Sequence, residues 1–185
     1  MAAKKEDIST IHRYLDEAGD TTFFGKGKVN IVGQSGVSKC FILGLVKFKE
    51  PLPEVRDQVV ALQTKVCRDP YFNEVPSIQK KTAKNGYYFH ATDDVPEVRK
   101  LFYDYIKSID CSFEAVVGRK IMSIYTNKHN GKEAEFYADL LSHLIKNKLN
   151  KGGKLILDIA SRGNSTKNHN LQAALQKAIS RNSKK

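Results

Sequence analysis

Three carboxylates crowd into one short segment near the start of the chain. Asp16, Glu17 and Asp20 lie within the sequence Tyr-Leu-Asp-Glu-Ala-Gly-Asp at residues 14–20. Carboxylates at this spacing raise one another's pKa unless a divalent cation turns their repulsion into coordination. The spacing is therefore typical of a metal site, although a polar turn capped by Asp16 would explain it equally well.

A fourth carboxylate, Asp158, lies inside an apolar run at residues 155–160. An unpaired charge in such surroundings would be costly. Asp158 is therefore either a second metal ligand or a buried carboxylate that a lysine or backbone N–H groups satisfy.

Hydrophobic periodicity predicts the elements that position these acids. Alternating apolar residues at 11–16 predict a strand that ends near Gly19. Further strands are predicted at Cys40–Phe48, Tyr87–Ala91, Phe113–Ile124 and residues 155–160, and helices after Pro51, after Pro96, around residues 136–149 and around residues 171–179. Residues 69–85 contain two prolines and the basic cluster Lys80, Lys81 and Lys84, and we interpret them as an exposed connection. This alternation predicts an α/β fold with one mixed sheet flanked by helices, in which the Asp16 and Asp158 strands lie side by side.

The composition favours a polyanionic partner. The 185 residues fit a single domain, residues 1–185, and their formal net charge is +11. From Leu140 onward the chain has ten basic residues and one acid, Asp158, so this segment carries most of the charge. DNA or RNA is the expected partner.

Cysteine spacing and the length of apolar runs indicate the cellular compartment of the protein. Cys40, Cys67 and Cys111 are widely spaced and form neither a CxxC pattern nor a Cys/His ligand pattern. This spacing indicates reduced thiols in a cytoplasm. Residues 1–10 are too polar for a signal-peptide core, and the longest apolar run is too short for a bilayer, so no membrane association is expected.

A polar loop after the Asp158 strand is a candidate phosphate contact. Arg162, Asn164, Ser165 and Lys167 lie there, just before a predicted helix N-terminus. Cations, hydroxyls and amides at such a position favour an anion. Polar residues also fill ordinary strand-to-helix loops, and no Walker or GxGxxG motif indicates a nucleotide cofactor.

The segment at residues 14–20 resembles the YxDESGD motif that opens the prokaryotic family called domain of unknown function 3800. Ala18 stands where serine is usual in that motif. The strand Phe41–Phe48, the segment Tyr88–Ala91 and the strand end Leu157–Ser161 are also similar to the family in order and spacing. The resemblance covers roughly residues 11 to 180, and only the first motif is distinctive.

This resemblance implies a ribonuclease H-like fold and a nuclease-like site with Mg²⁺ or Mn²⁺. By position, Asp16 would bridge the metal ions, Asp158 would be its partner, and Glu17 and Asp20 would be auxiliary. Family members usually continue into a C-terminal helix with another acid, whereas this chain has no acid after Asp158. We therefore expect either a shortened domain or an incomplete site, and Asp139 does not take over the missing role.

The sequence thus predicts metal-dependent hydrolysis of phosphodiester bonds in DNA or RNA. His90 would relay a proton or contact phosphate, although a lone histidine beside aromatic residues is more often structural. Two alternatives stay open. The chain would instead be a nucleic-acid-binding module with a degenerate acidic site, or a protein-interaction domain whose basic charge is incidental.

Overall fold

A computed structural model of the chain describes residues 10–146, 148, 154–160 and 167–183. These residues form four β-strands and six α-helices. The strands are β1 (Thr10–Gly19), β2 (Cys40–Phe48), β3 (Cys111–Arg119) and β4 (Lys154–Ile159). The helices are α1 (Leu52–Arg68), α2 (Pro76–Asn85), α3 (Pro96–Ser108), α4 (Met122–His129), α5 (Glu133–Ile145) and α6 (Lys167–Ser183).

The four strands form one mixed sheet in the order β3-β2-β1-β4. β1 pairs antiparallel with β2 and parallel with β4. Because β1 and β4 are parallel neighbours, their carboxyl ends lie at the same edge of the sheet. The predicted α/β class and the predicted pairing of the Asp16 and Asp158 strands are both confirmed.

The chain divides into two compact units. The first comprises residues 1–47 and 113–185, and the second comprises residues 48–112. The prediction of a single domain over residues 1–185 stays a prediction.

The core of the first unit lies on one face of the sheet. Four odd-numbered residues of the two central strands, Leu15, Phe41, Leu43 and Leu45, are almost fully buried. They pack in one cluster with Phe136 and Leu141 of α5 and with Ala174 of α6. Side chains alternate along a strand, so the even-numbered residues of β1 point away from this core.

The second unit has its own apolar cluster, in which the fully buried Val66 of α1 and Val98 of α3 meet Tyr87. Residues 69–85, interpreted above as an exposed connection, instead contain a short 3-10 helix at Pro70–Phe72 and the helix α2. That prediction was wrong because Pro70 and Pro76 occupy first helical positions, where a missing N–H costs nothing.

Two further predictions of strands were wrong in part or in full. Residues 87–91 form no strand, because Tyr87 and Phe89 pack into the second cluster without a ladder partner. The strand predicted at Phe113–Ile124 ends at Arg119, and α4 begins at Met122. Period-two alternation alone did not separate the end of this strand from the first turn of the helix.

Two further observations concern the state of the cysteines and the length and polarity of the helices. Cys40, Cys67 and Cys111 are all free thiols. Within the described residues, every helix is too short or too polar to cross a bilayer.

Candidate functional site

Asp16 and Asp158 line a single groove where β4 ends beside β1. The groove has a volume of about 330 Å³, and its other lining residues are Tyr14, Leu15, Gly44, Val46, Phe113, Ile159 and Ala160. All nine residues belong to the first unit. The two acids are separated by 142 positions in the sequence, and the fold brings them to one surface.

Strand register explains this convergence. Tyr14 and Asp158 are register partners across the parallel β1–β4 pair, and Asp16 is one strand repeat beyond Tyr14 on the same face. A rise of two residues along β1 and one interstrand step separate the two Cα atoms by about 8 Å. The carboxylates are therefore near neighbours on the sheet face opposite the core of the first unit.

The two carboxylates differ in their surroundings. Asp16 is exposed, and its carboxylate makes no hydrogen bond or ion pair with any residue that the structure describes. Asp158 Oδ2 lies 3.2 Å from His12 Nδ1, and the Asp158 side chain is 44% exposed. One acid is thus free to accept a ligand, while the other is oriented by a neighbouring imidazole.

His12 is a site residue that the sequence analysis missed. It lies on β1 two residues before Tyr14, so it shares the face of Tyr14 and Asp16. A hydrogen bond between its Nδ1 and Asp158 Oδ2 holds its ring beside that carboxylate. The alternation of His12, Tyr14 and Asp16 on the predicted strand was the signal that could have found it.

Apolar groups form the rest of the groove. Gly44 of β2 is the register partner of Asp16, and a Cβ atom added to it would lie 3.0 Å from the Phe113 ring. Phe113 itself is 67% exposed. The missing side chain at Gly44 therefore lets the Phe113 ring lie close over β2, where it forms a hydrophobic wall of the groove.

Glu17 does not line this groove. Its Oε1 accepts a 2.8 Å hydrogen bond from the hydroxyl of Tyr137 on α5, within the helical layer that covers the core. Burial raises the pKa of Tyr137 well above its ordinary value, so the phenol remains a donor. The structure thus places Glu17 on the opposite face of β1 from Asp16.

Asp20 is held by a different set of partners. One oxygen lies 2.6 Å from Lys120 Nζ, whose side chain is fully buried, and also accepts from the Thr22 N–H. The other accepts from both the N–H and the hydroxyl of Ser38. Burial acts to raise the pKa of Asp20, but the Lys120 ammonium and these hydrogen bonds outweigh it and hold that pKa well below its usual range. These contacts of Asp20 form a clamp that joins the end of β1 to the loop before β2.

His90 belongs to the second unit. Its Nδ1 lies 3.0 Å from Asp93 Oδ2, and both side chains are half exposed. Its N–H donates to the buried carboxylate of Asp94. These contacts organise the turn before α3, and the predicted catalytic role of His90 stays a prediction.

The predicted phosphate loop falls largely outside the described residues. Arg162, Asn164 and Ser165 all lie there, and so does the side chain of Lys167, whose backbone begins α6. Their contact with phosphate stays a prediction.

The donor set for a metal ion is small. Within the described parts of the chain, no three His, Cys, Asp or Glu side chains are grouped closely enough to hold an ion. Asp16 and Asp158 are two oxygen donors that share one surface, and Mg²⁺ characteristically binds one or two carboxylates together with water and substrate phosphate.

Comparison of the chain with protein-family models, with curated proteins and with solved structures found no match.

Proposed function

We propose that the groove between Asp16 and Asp158 is the active site of a metal-dependent nuclease. The observation that carries this proposal is the convergence of two solvent-accessible carboxylates, remote in sequence, in the carboxyl-terminal halves of adjacent parallel strands. The net charge of +11 supports a polyanionic substrate. The reaction is hydrolysis of a phosphodiester bond in DNA or RNA.

The oxygen donors present fit one Mg²⁺ or Mn²⁺ ion. Asp16 has no competing partner among the described residues, and Asp158 keeps one carboxylate oxygen, Oδ1, outside its contact with His12. Hard divalent cations prefer such oxygens and need few of them when a phosphate completes the shell. When bound, the ion would polarise the phosphate and lower the pKa of a bound water.

The chain's own residues would position the reacting groups. His12 orients the Asp158 carboxylate by its 3.2 Å contact, which fixes one donor before the substrate arrives. The Phe113 ring packs over Gly44 and would flank a nucleic-acid strand beside Asp16. Phe113 offers an exposed ring on which a base can stack.

The sheet order adds support at the level of fold. A mixed sheet in the order β3-β2-β1-β4, with β2 antiparallel to β1, is compatible with a ribonuclease H-like fold. The resemblance of residues 14–20 to the YxDESGD motif leads to the same expectation. Fold analogy alone does not assign activity, so the proposal depends on the two acids.

The experiment is a cleavage assay with matched acid-to-amide variants. Asp16→Asn and Asp158→Asn should each lower Mg²⁺-dependent cleavage of a labelled oligonucleotide by about a hundredfold or more, because each removes a metal ligand. Asp57→Asn is the control, because Asp57 is an exposed carboxylate on α1 without a described partner. Binding of the same oligonucleotide in EDTA should be unchanged in all three variants. Equal cleavage by wild type and Asp16→Asn would refute the proposal.

A non-catalytic nucleic-acid-binding module is the second candidate. The absence of a third acid beside Asp16 and Asp158, within the described residues, favours it. In that case the wild-type protein would bind oligonucleotides in a strongly salt-dependent manner and cleave none of them with either Mg²⁺ or Mn²⁺.

A further inference from the structure

A second cavity, within the second unit, is built from a lysine-rich helix and one aromatic side chain. Its volume is about 630 Å³, which is in the usual range for small-molecule sites. Its polar lining consists of Ser77, Lys80, Lys81, Lys84, Tyr88 and Asp93. The site is separate from the Asp16 groove, and nothing in the proposed hydrolysis uses it.

Helical spacing places the cations together. Lys80 and Lys84 are four residues apart on α2, so they lie on the same helical face, with Ser77 one turn before Lys80. Both lysines are exposed, and neither has an ion-pair partner within the described part of the chain. Like charges at this spacing repel one another, and an anion bound between them would relieve that repulsion.

Of the three lysines that line the cavity, Lys81 is the one held in place by neighbouring groups. Its side chain is 7% exposed, and its ammonium lies 2.8 Å from the buried carboxylate of Asp94 and donates to the Tyr88 carbonyl. The same ammonium lies 4.8 Å from the centroid of the Tyr88 ring. Lys81 is therefore neutralised by Asp94, and its contacts hold Tyr88 against α2.

The charge that remains in the cavity is positive. Lys81 is balanced by Asp94, and Asp93 is already engaged by His90 at 3.0 Å. Lys80 and Lys84 then outnumber the one remaining carboxylate of the lining, that of Asp93. The pattern of two free ammonium groups and one paired carboxylate favours an anionic ligand.

Ser77 and Tyr88 refine the chemistry of that ligand. Ser77 lines the cavity, and its hydroxyl is buried with no hydrogen-bond partner in the described structure, so it would reach a ligand after rotation about χ1. A phosphate oxygen would satisfy it. Tyr88 remains 51% exposed, so its ring is accessible to a planar base.

We infer that this cavity binds a nucleotide, with its phosphate between Lys80, Lys84 and the Ser77 hydroxyl and its base beside Tyr88. The nucleotide is either a free monophosphate or one unit of a nucleic-acid strand, since both present the same phosphate and ring. The inference does not rest on hydrolysis at the Asp16 groove.

The test measures binding of a fluorescein-labelled twelve-residue oligo(dT) by anisotropy in metal-free buffer with EDTA. The double variant Lys80→Gln, Lys84→Gln should weaken binding about tenfold, since it removes two charge-assisted contacts. The matched control is Arg56→Gln, Lys107→Gln, which removes the same charge from exposed positions of the same unit outside the cavity. The control should change affinity less than about twofold. Equal weakening by the two double variants would overturn the inference, because bulk charge alone would then explain binding.

Competition distinguishes the two sources of the nucleotide. Displacement of the oligonucleotide by thymidine monophosphate would assign a free-nucleotide site, and binding of the oligonucleotide alone, with the tenfold loss in the lysine variant, would assign a strand site. Tyr88→Ala should weaken oligonucleotide binding at least about fivefold, because a stacking platform is lost. Competition by inorganic phosphate or by thymidine as effective as that by thymidine monophosphate would overturn the nucleotide assignment. All these affinities are measured without metal and so without hydrolysis, which makes failure here and failure of the nuclease proposal separate results.

Discussion

Asp16 and Glu17 are neighbours in the chain, yet their carboxylates face opposite sides of β1. Asp16 lines the groove with Asp158, whereas Glu17 accepts a hydrogen bond from Tyr137 in the covered layer. The acidic cluster that the sequence presents as one group is therefore divided among three environments, since Asp20 is clamped by Lys120. Only Asp16 is left with a carboxylate that has no described partner.

The clamp at Asp20 should contribute to stability. Asp20→Asn removes the counter-charge of Lys120, whose side chain is fully buried, and should lower the free energy of unfolding by about 3 kcal/mol. Urea unfolding at neutral pH measures this loss. Asp57→Asn, the exposed control, should change it by less than about 0.5 kcal/mol.

The same clamp predicts a dependence on pH. The folded pKa of Asp20 is depressed, so its stabilising contribution is complete above the unfolded value of about 3.9 and is lost as the pH falls below it toward the folded pKa. Urea unfolding between pH 5 and pH 2 should therefore show a steeper loss of stability in wild type than in Asp20→Asn. Parallel curves for the two proteins would show that Asp20 titrates normally.

His12 should strengthen metal binding in the groove through its contact with Asp158. His12→Ala frees the Asp158 carboxylate from its imidazole contact and should weaken Mn²⁺ binding about tenfold, as the loss of an outer-sphere partner usually does. Isothermal titration calorimetry measures the change. His90→Ala is the informative comparison, because the sequence favoured His90 and the structure favours His12. A larger effect from His90→Ala would contradict this assignment.

The close packing of the Phe113 ring on Gly44 should be needed to position the substrate. Gly44→Val places methyl groups against the Phe113 ring and beside Asp16, which should slow oligonucleotide cleavage about a hundredfold by displacing the substrate. Phe113 is exposed and can turn aside, so the melting temperature should change little. Ala115→Val, an exposed position on β3 outside the groove, is the control. Full activity of Gly44→Val would place the substrate elsewhere.

The buried pair of Lys81 and Asp94 should hold the second unit together. Asp94→Asn leaves the Lys81 ammonium buried without its counter-charge and should cost about 3 kcal/mol of unfolding free energy. Thermal unfolding followed by circular dichroism measures it. The neighbouring change Asp93→Asn, at a half-exposed residue, should cost less than about 1 kcal/mol.

Strand periodicity predicted the part of the site that depends on local pattern. The alternation at residues 11–16 predicted β1 and its faces, and the apolar run around Asp158 predicted β4, so the convergence of the two acids followed from parallel pairing. His12 lay in the same alternation and was missed because its partner is 146 residues away. Tertiary partners are not visible in local spacing.

Two further features could not be predicted from local sequence, for two different physical reasons. Lys120 and Tyr137, which engage Asp20 and Glu17, come from β3–α4 and α5, so nothing near residues 14–20 indicates that these acids are already paired. Pro76 was taken as a sign of a loop, but it begins the lysine-bearing helix α2. Proline marks a boundary without saying on which side the helix lies.

Titration of Mn²⁺ followed by electron paramagnetic resonance tests the central claim most directly, because free Mn²⁺ gives a sharp signal that binding broadens. Wild-type protein should bind one ion, and both Asp16→Asn and Asp158→Asn should lose it, while Asp57→Asn retains it. Binding of the ion with equal affinity by wild type and Asp16→Asn would contradict the account, as would no binding by the wild type in the presence of oligonucleotide.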